Sequence, residues 1–306
     1  MNICAGRVAV VTGAGGGIGR HHALELARQG ARVVVNDFGP SGTSPAAEAV
    51  VAEIEALGGT AVAHRCDVSD MASAAALVER AVEEFGGLDV LVNNAGILRD
   101  RMLTTMSEDD WDAVIRVHLK GTFAPTQAAA RYFRACHREG RPRSGRIINT
   151  SSSSGLRGNV GQSNYGAAKA GVAAFTQIAA MELHRYGVTV NAVSPAARTQ
   201  MTEGLMSPPE GDFDVFDPAA ISPLVAWLSS AEAGWVTGHV FDAHGGVVGV
   251  YEGWDVGPAR DRGRLWRAEE MGEAVRDLLS RATVNPRLPR PEGAPDTGAG
   301  TGRHGP

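Results

Sequence analysis

Three observations in this 306-residue chain predict an α/β fold, a single parallel sheet doubly wound by helices. Short β-branched runs alternate with longer Ala-rich helical stretches from the start. The runs are almost uniformly apolar, as strands are when helices cover both faces of their sheet. The first run passes directly into a glycine-rich turn that opens a helix, the beginning of a βα unit.

Arg7 to Val11 reads as the first strand and His21 to Gln29 as the helix after it. Arg32 to Asn36 is a second strand, followed by a helix over about Ala46 to Leu57. Further strands are expected at Thr60–Cys66, Leu88–Val92, Gly145–Thr150, Val188–Val193 and from Val240 onward. Intervening helices fall near Met71–Phe85, Glu108–Arg138 (with an interruption) and Tyr165–Tyr186. No internal linker divides this rhythm, which gives one domain over residues 5–250. A short C-terminal extension follows over residues 251–284, with Trp254, Trp266 and a helix near Ala268–Ser280. Residues 285–306 are rich in Pro and then Gly, too poor in apolar groups to order themselves, and are expected to be a disordered tail.

Composition excludes several classes. Hydrophobic residues make up 43% and charged residues 21%, and the formal charge is −5. That balance gives no reason to expect a nucleic-acid partner. The apolar run Val8 to Val11 is too short for a signal peptide or a membrane span, so a cytoplasmic protein is expected. Cys4, Cys66 and Cys136 lack metal-ligand spacing and suit a reducing compartment, and no metal is expected.

The run Thr12-Gly13-Ala14-Gly15-Gly16-Gly17-Ile18-Gly19 lies between first strand and first helix. Glycines there let a phosphate approach the backbone, and the helix N-terminus offers N–H groups and a positive dipole end. Asp37 ends the second strand, where a carboxylate can accept both ribose hydroxyls of adenosine and would repel a 2′-phosphate. Phe38 and Gly39 follow it rather than a cation, which favours NAD over NADP. Arg20 is the nearby cation that could argue otherwise, or it sits on the helix surface. Asp67-Val68 follows the third strand, where the carboxylate can meet the adenine amino group. Asn93-Asn94-Ala95-Gly96 follows the fourth, at another carboxyl end. Both segments read equally as turns or helix caps.

Tyr165 and Lys169, four apart, share one helix face. An ammonium close to a phenol favours the phenolate, so Lys169 is expected to lower the Tyr165 pKa from about 10 and suit it to proton transfer. Ser152 lies thirteen residues before Tyr165, just past the fifth strand, and adds a hydroxyl donor. Ala196 to Phe216, with Leu205 and Met206, is a long aperiodic stretch that reads as a lid over a substrate or as a surface excursion.

In combination the glycine loop, Asn93-Asn94-Ala95-Gly96, Ser152, the Tyr165/Lys169 pair and Val240-Phe241-Asp242-Ala243-His244-Gly245-Gly246 resemble the short-chain dehydrogenase/reductase family over about residues 5–250. The resemblance implies a Rossmann-like fold and an oxidoreductase that interconverts a secondary alcohol and a ketone. It implies Ser152, Tyr165 and Lys169 as catalytic residues. Gly13, Gly17, Ile18, Gly19, Asp37, Asp67, Val68, Asn94, Tyr165, Lys169 and Pro195 would contact NAD, and the subunits would pair as a homodimer or homotetramer. One position departs from the pattern: His118 stands where many members carry asparagine, and reads either as part of the proton relay or as a core histidine.

Finer details resemble the dehydrogenase part of peroxisomal multifunctional β-oxidation enzymes. They are Val34-Val35-Asn36-Asp37-Phe38-Gly39, Trp111 through Val117-His118-Leu119-Lys120-Gly121, Gly158-Asn159-Val160-Gly161-Gln162 and Ser194-Pro195-Ala196-Ala197 through Met201-Thr202. That likeness implies a small hydroxy or keto substrate, with (3R)-3-hydroxyacyl-CoA first and a steroid or polyketide alcohol or ketone as the alternative. A non-catalytic nucleotide-binding module is the reading from another class, opposed by the intact Ser152, Tyr165 and Lys169.

Overall fold

The computed structural model describes residues 2–39, 43–199, 202, 213–253, 255–283, 285 and 287–288. The chain forms two compact units, Met1–Tyr251 and Glu252–Pro306. The first holds an 8-stranded sheet of β1 (Val8–Val11), β2 (Arg32–Asp37), β3 (Thr60–Arg65), β4 (Val90–Asn93), β5 (Arg146–Thr150), β6 (Thr189–Pro195), β7 (Val240–His244) and β8 (Val247–Val250). Their spatial order is β3-β2-β1-β4-β5-β6-β7-β8. The first seven pair in parallel, and the direction of winding reverses between β1 and β4. A crevice therefore opens at the carboxyl ends of β1 and β4, where ligands of such sheets bind.

The uniform apolarity of the strands has a direct cause. Ala9 and Val11 of β1 face one buried cluster, while Val8 and Val10 face another. The first cluster packs α1 (Gly17–Arg28), α2 (Pro45–Ala56) and α8 (Ser222–Leu228) on one face. The second packs α3 (Met71–Phe85), α5 (Gly121–Arg138) and α7 (Ser163–Leu183) on the other. Neither face is wet, so no polar alternation survives.

The expected interruption of the helix over 108–138 is a wide π turn. α4 (Glu108–Ile115) is capped by Ser107, whose hydroxyl accepts the Asp110 N–H at 3.1 Å. A π turn over Arg116–Lys120 then leads into α5. Such turns sit often at functional positions because the extra residue re-aims a side chain. Here it carries His118 into the interior.

Three elements were not expected. α6 (Ser153–Arg157) is a single turn packed on α7 through glycine. A Cβ on Gly155 would lie 2.4 Å from the Ala170 backbone nitrogen, so only glycine allows that approach. α8 lies in a stretch left unassigned. β8 runs antiparallel to β7 across the Gly245-Gly246 turn, so the sheet is parallel except at this edge. Unlike the other strands, β8 is largely exposed on both faces, as an edge strand can be.

In the second unit a 3₁₀ turn at Ala268–Glu270 leads into α9 (Met271–Arg281). Glu270 accepts hydrogen bonds from Arg264 at 2.7 Å and from the Arg267 N–H at 3.1 Å. Trp254 and most of the expected tail lie outside the described residues.

Candidate active site

The glycine loop folds as a tight cradle. Gly13 and Gly17 have φ of +60° and +51°, in the left-handed region. A Cβ on Gly19 would meet the Gly13 carbonyl at 2.2 Å and the Asn94 amide at 2.4 Å. Asn94 holds the turn by donating to the Thr12 and Gly13 carbonyls, both at 3.0 Å. α1 begins at Gly17, and its N-cap Gly16 brings no side-chain cap. The first N–H groups of α1 are thus left to a ligand, which fits a diphosphate. Ile18 lies in that first turn and packs partly against the core.

Asp37, at the end of β2, reaches over this loop and accepts the Gly15 N–H at 2.7 Å. A Cβ on Gly15 would lie 2.6 Å from Asp37 Oδ2. Arg20 is engaged by Glu53, with Nε donating to Oε1 at 3.0 Å, which places it in a helix–helix ion pair. The β2–β3 register adds a cation that the sequence did not reveal. Arg65 pairs with Asp37 in the ladder, and its guanidinium lies 4.7 Å over the Phe38 ring.

Asp67 has protein partners already. Burial pushes its carboxyl up, but Oδ1 accepts the Ser69 hydroxyl at 2.6 Å and N–H at 2.9 Å and Oδ2 accepts Arg116 at 2.8 Å, and these bonds outweigh burial and hold it below its usual range. The helix cap at α3 is Asp70 instead, accepting the Ser73 N–H at 2.8 Å. Val68 is buried, and a Cβ on Gly121 would lie 2.8 Å from its Cγ2. Pro195 ends β6 opposite Ala243 of β7.

Ser152 N-caps α6 at the end of β5, and its hydroxyl accepts the Ser154 N–H at 3.2 Å. Tyr165 and Lys169 lie on the first turns of α7, with Lys169 Nζ 5.6 Å from the Tyr165 ring centroid. The two groups are brought together as the spacing predicts, yet the Tyr165 pKa moves up. Burial of the phenol outweighs a hydrogen bond with Ser152 that pulls it down, and the Asp100 carboxylate adds to the rise. Lys169 is only 3% exposed, and burial pushes its own pKa down to about 7. Burial thus works against the lowering of Tyr165 that the spacing alone predicts.

His118 lies edge-on to Tyr165, with ring centroids 5.1 Å apart. Its Nε2 is 2.7 Å from the Ile97 carbonyl oxygen and 3.0 Å from the Ile97 nitrogen. A single tautomer satisfies one of these, and its buried Nδ1 has no partner. Burial, with Lys169 nearby, pushes its pKa down to about 3, so the ring is neutral at ordinary pH. It is a core histidine packed edge-on against the Tyr165 ring.

No sequence pattern signals the loop contacts around this group. Asn164, fully buried, donates to the carbonyls of Arg99 at 3.0 Å and Asp110 at 3.1 Å. Gln162 donates to Asp100 at 2.8 Å. These contacts join segments some sixty residues apart, and no periodicity records them. At the far side the long stretch from 196 is tied at its ends, with Arg198 donating to Asp214 at 2.6 Å and to the Phe216 carbonyl at 2.7 Å. Leu205 and Met206 lie outside the described residues.

A glycine cradle at the first βα turn and a Ser–Tyr–Lys group after β5 and on α7 define an oxidoreductase acting on CH–OH groups, and the chain belongs to the short-chain dehydrogenase family, whose profile matches residues 7–209. The hydroxyacyl-CoA dehydrogenase ChsB1 of Mycobacterium tuberculosis is 45% identical over 288 residues, covering 90% of this chain and 89% of that protein. The peroxisomal multifunctional enzyme type 2 of Mus musculus is 41% identical over 89% of this chain, which spans 36% of that longer protein. A crystal structure of a short-chain dehydrogenase from Mycobacterium avium matches with a TM-score of 0.86 and 53% identity, covering 97% of this chain and 100% of that one.

Proposed function

We propose that this protein oxidises (3R)-3-hydroxyacyl-CoA to 3-oxoacyl-CoA with NAD. The observation that carries the chemistry is the clustering of Ser152, Tyr165 and Lys169 beside the glycine cradle. The names of the relatives in Mycobacterium tuberculosis and Mus musculus support the substrate. Asp37 above the loop supports NAD, since a 2′-phosphate brought to that carboxylate would be repelled.

Gly13, Gly17, Ile18 and Gly19 would hold the diphosphate, Asp37 the adenosine ribose, and Asp67, Val68 and Asn94 the surrounding walls. Pro195 and Lys169 would flank the nicotinamide riboside. Bound NAD supplies the hydride acceptor. The chain supplies orientation and proton handling. Ser152 would donate to the substrate oxygen, and Tyr165, as the phenolate, would take the hydroxyl proton as the carbonyl forms and so become the phenol. Lys169 lies close enough to stabilise the phenolate that must be present before that proton is taken, and a cationic nicotinamide ring nearby would add to that pull.

An apolar rim favours a substrate with an extended apolar body. Met102, Leu103 and Val160 are 56%, 75% and 82% exposed on two loops joined by the Arg101 N–H to Gly161 carbonyl bond. A steroid alcohol is the second reading on that ground. Exposed Phe123, Ile178 and Met181 on α5 and α7 support association into a homodimer or homotetramer. Among the described residues no helix is long and apolar enough to cross a membrane, and three buried free thiols suit the cytoplasm.

The test is NADH formation against a panel of (3R)- and (3S)-3-hydroxyacyl-CoAs, steroid alcohols and simple secondary alcohols. Preferred turnover of the (3R)-thioesters supports the reading. Preference for a steroid or a plain alcohol overturns the substrate, and no NADH from any member overturns the reaction.

A further inference from the structure

We propose that Gln162 is a positioning residue, whose side-chain amide locks Tyr165 in place relative to Ser152 and to the strip Ile97–Arg101. The inference rests on the oxidoreductase reading of the Ser152–Tyr165–Lys169 group. It concerns how that group is held rather than what it turns over.

Gln162 sits at the N-cap of α7, three residues before Tyr165, and is 9% exposed. Its amide reaches three separate segments. Oε1 accepts from Ser154 Oγ at 2.7 Å and from Asn159 Nδ2 at 3.0 Å. Nε2 donates to Asp100 Oδ2 at 2.8 Å. Ser154 is two residues past Ser152 and donates its own N–H to the Ser152 hydroxyl. One planar amide therefore ties the segment bearing Ser152 to the helix bearing Tyr165.

The same amide anchors the strip that follows β4. Ile97, at one end, is held by His118. At the other end the Arg101 N–H bonds the Gly161 carbonyl at 2.9 Å, and Asp100 bonds Gln162. Asp100 Oδ1 is buried with no partner among the described residues, so Gln162 anchors that carboxylate through Oδ2. Facing Tyr165 from the surrounding elements are Ser152, Lys169, His118 and Asp100. Gln162 fixes two of these four, Ser152 through Ser154 and Asp100 directly. Effective catalysis depends on such placement to within a fraction of an ångström.

The polarity of the Gln162–Asp100 bond can be reversed without changing shape. Gln162→Glu leaves the acceptor for Ser154 and Asn159 intact but sets two carboxyl groups against each other. Adding Asp100→Asn restores a donor–acceptor pair running the other way. The single variant should lose about 10²-fold in kcat, the size of effect that an ångström-scale misplacement produces. The cofactor dissociation constant should stay within about threefold, because the Gln162 amide bonds Ser154, Asn159 and Asp100 and no residue of the glycine cradle. The double variant should recover to within about threefold of the parent kcat.

Hydrogen–deuterium exchange supplies a readout that needs no substrate. Amides of residues 99–103 and 162–168 should lose protection in the single variant and regain it in the double. A single variant with parent kcat and protection overturns the proposal, as does a double variant no better than the single. Loss of cofactor affinity in place of kcat also overturns it. Failure of the substrate panel leaves the exchange result to decide the clamp on its own.

Discussion

Lys169 Nζ lies 5.6 Å from the centroid of the Tyr165 ring, and its short hydrogen bond goes to the Thr150 carbonyl at 2.6 Å. The helix spacing brings ammonium and phenol to one face, while burial decides what each does there. Lys169 is drawn toward the neutral amine and Tyr165 toward the phenol. Burial thus opposes both the ammonium of Lys169 and the phenolate of Tyr165.

Tyr165→Phe removes the oxygen proposed to accept the proton and keeps the ring that His118 contacts edge-on. Turnover should fall by about 10²- to 10⁴-fold, the range for a lost general acid–base group, with NAD affinity retained. Steady-state kinetics beside a calorimetric titration of NAD checks both halves. Retained turnover would remove Tyr165 from the mechanism.

Lys169 gives stability a pH dependence of known sign. Its folded pKa of about 7 lies below the ordinary lysine value of 10.5, so the unfolded chain binds more protons between these values. The fold therefore gains stability as pH rises from about 7 toward 10.5, and this contribution is flat below about 7. Lys169→Met should make the unfolding free energy less steep across that window in denaturant titrations. An identical slope in both proteins would contradict the burial argument.

His22 gives the opposite limb of the profile. It is fully buried, with Nδ1 2.9 Å from Ser222 Oγ and Nε2 without a partner, and burial pushes its pKa down to about 3. The unfolded histidine titrates near 6.5, so stability is lost as pH falls from 6.5 toward 3. Replacing the pair with His22→Leu and Ser222→Ala should reduce that acid sensitivity, read as a shallower fall in melting temperature. An unchanged acid limb would assign the sensitivity elsewhere.

Asp37 and Gly15 form one recognition element, because the carboxylate accepts the Gly15 N–H. Asp37→Ala should raise the NAD KM by about tenfold or more, as loss of a charged hydrogen-bond acceptor does, and narrow the preference over NADP. Gly15→Ala would force Asp37 aside through a Cβ at 2.6 Å and should produce the same shift in part. Kinetics with both cofactors tests this, and an unaltered NAD/NADP ratio in Asp37→Ala would end the assignment.

Gly155 sets the approach of α6 to α7. Gly155→Ala places a Cβ 2.4 Å from the Ala170 nitrogen and 2.9 Å from Lys169 Cβ. Overpacking of this kind costs about 1–3 kcal/mol, and the separation it forces lies between Ser152 and Lys169. Both melting temperature and kcat should fall. A variant with full kcat would mean that the two helices tolerate displacement.

The alternation of apolar runs with helices, the glycine turn after β1, the carboxylate at the end of β2 and the 165/169 spacing were all set by sequence, because each depends on residues near one another along the chain. Helix period and strand length act over a few residues and need no partner. The expected strands and helices consequently reappear within a few residues of their predicted ends. Tertiary structure decided the rest. It turned Tyr165 upward instead of downward, gave Asp67 to Arg116 and Ser69, buried His118 as a neutral ring, and joined Asp100 to Gln162 across sixty-two residues. Desolvation and through-space contact depend on what the fold brings against a group, and that neighbourhood is built from segments that sequence spacing does not connect.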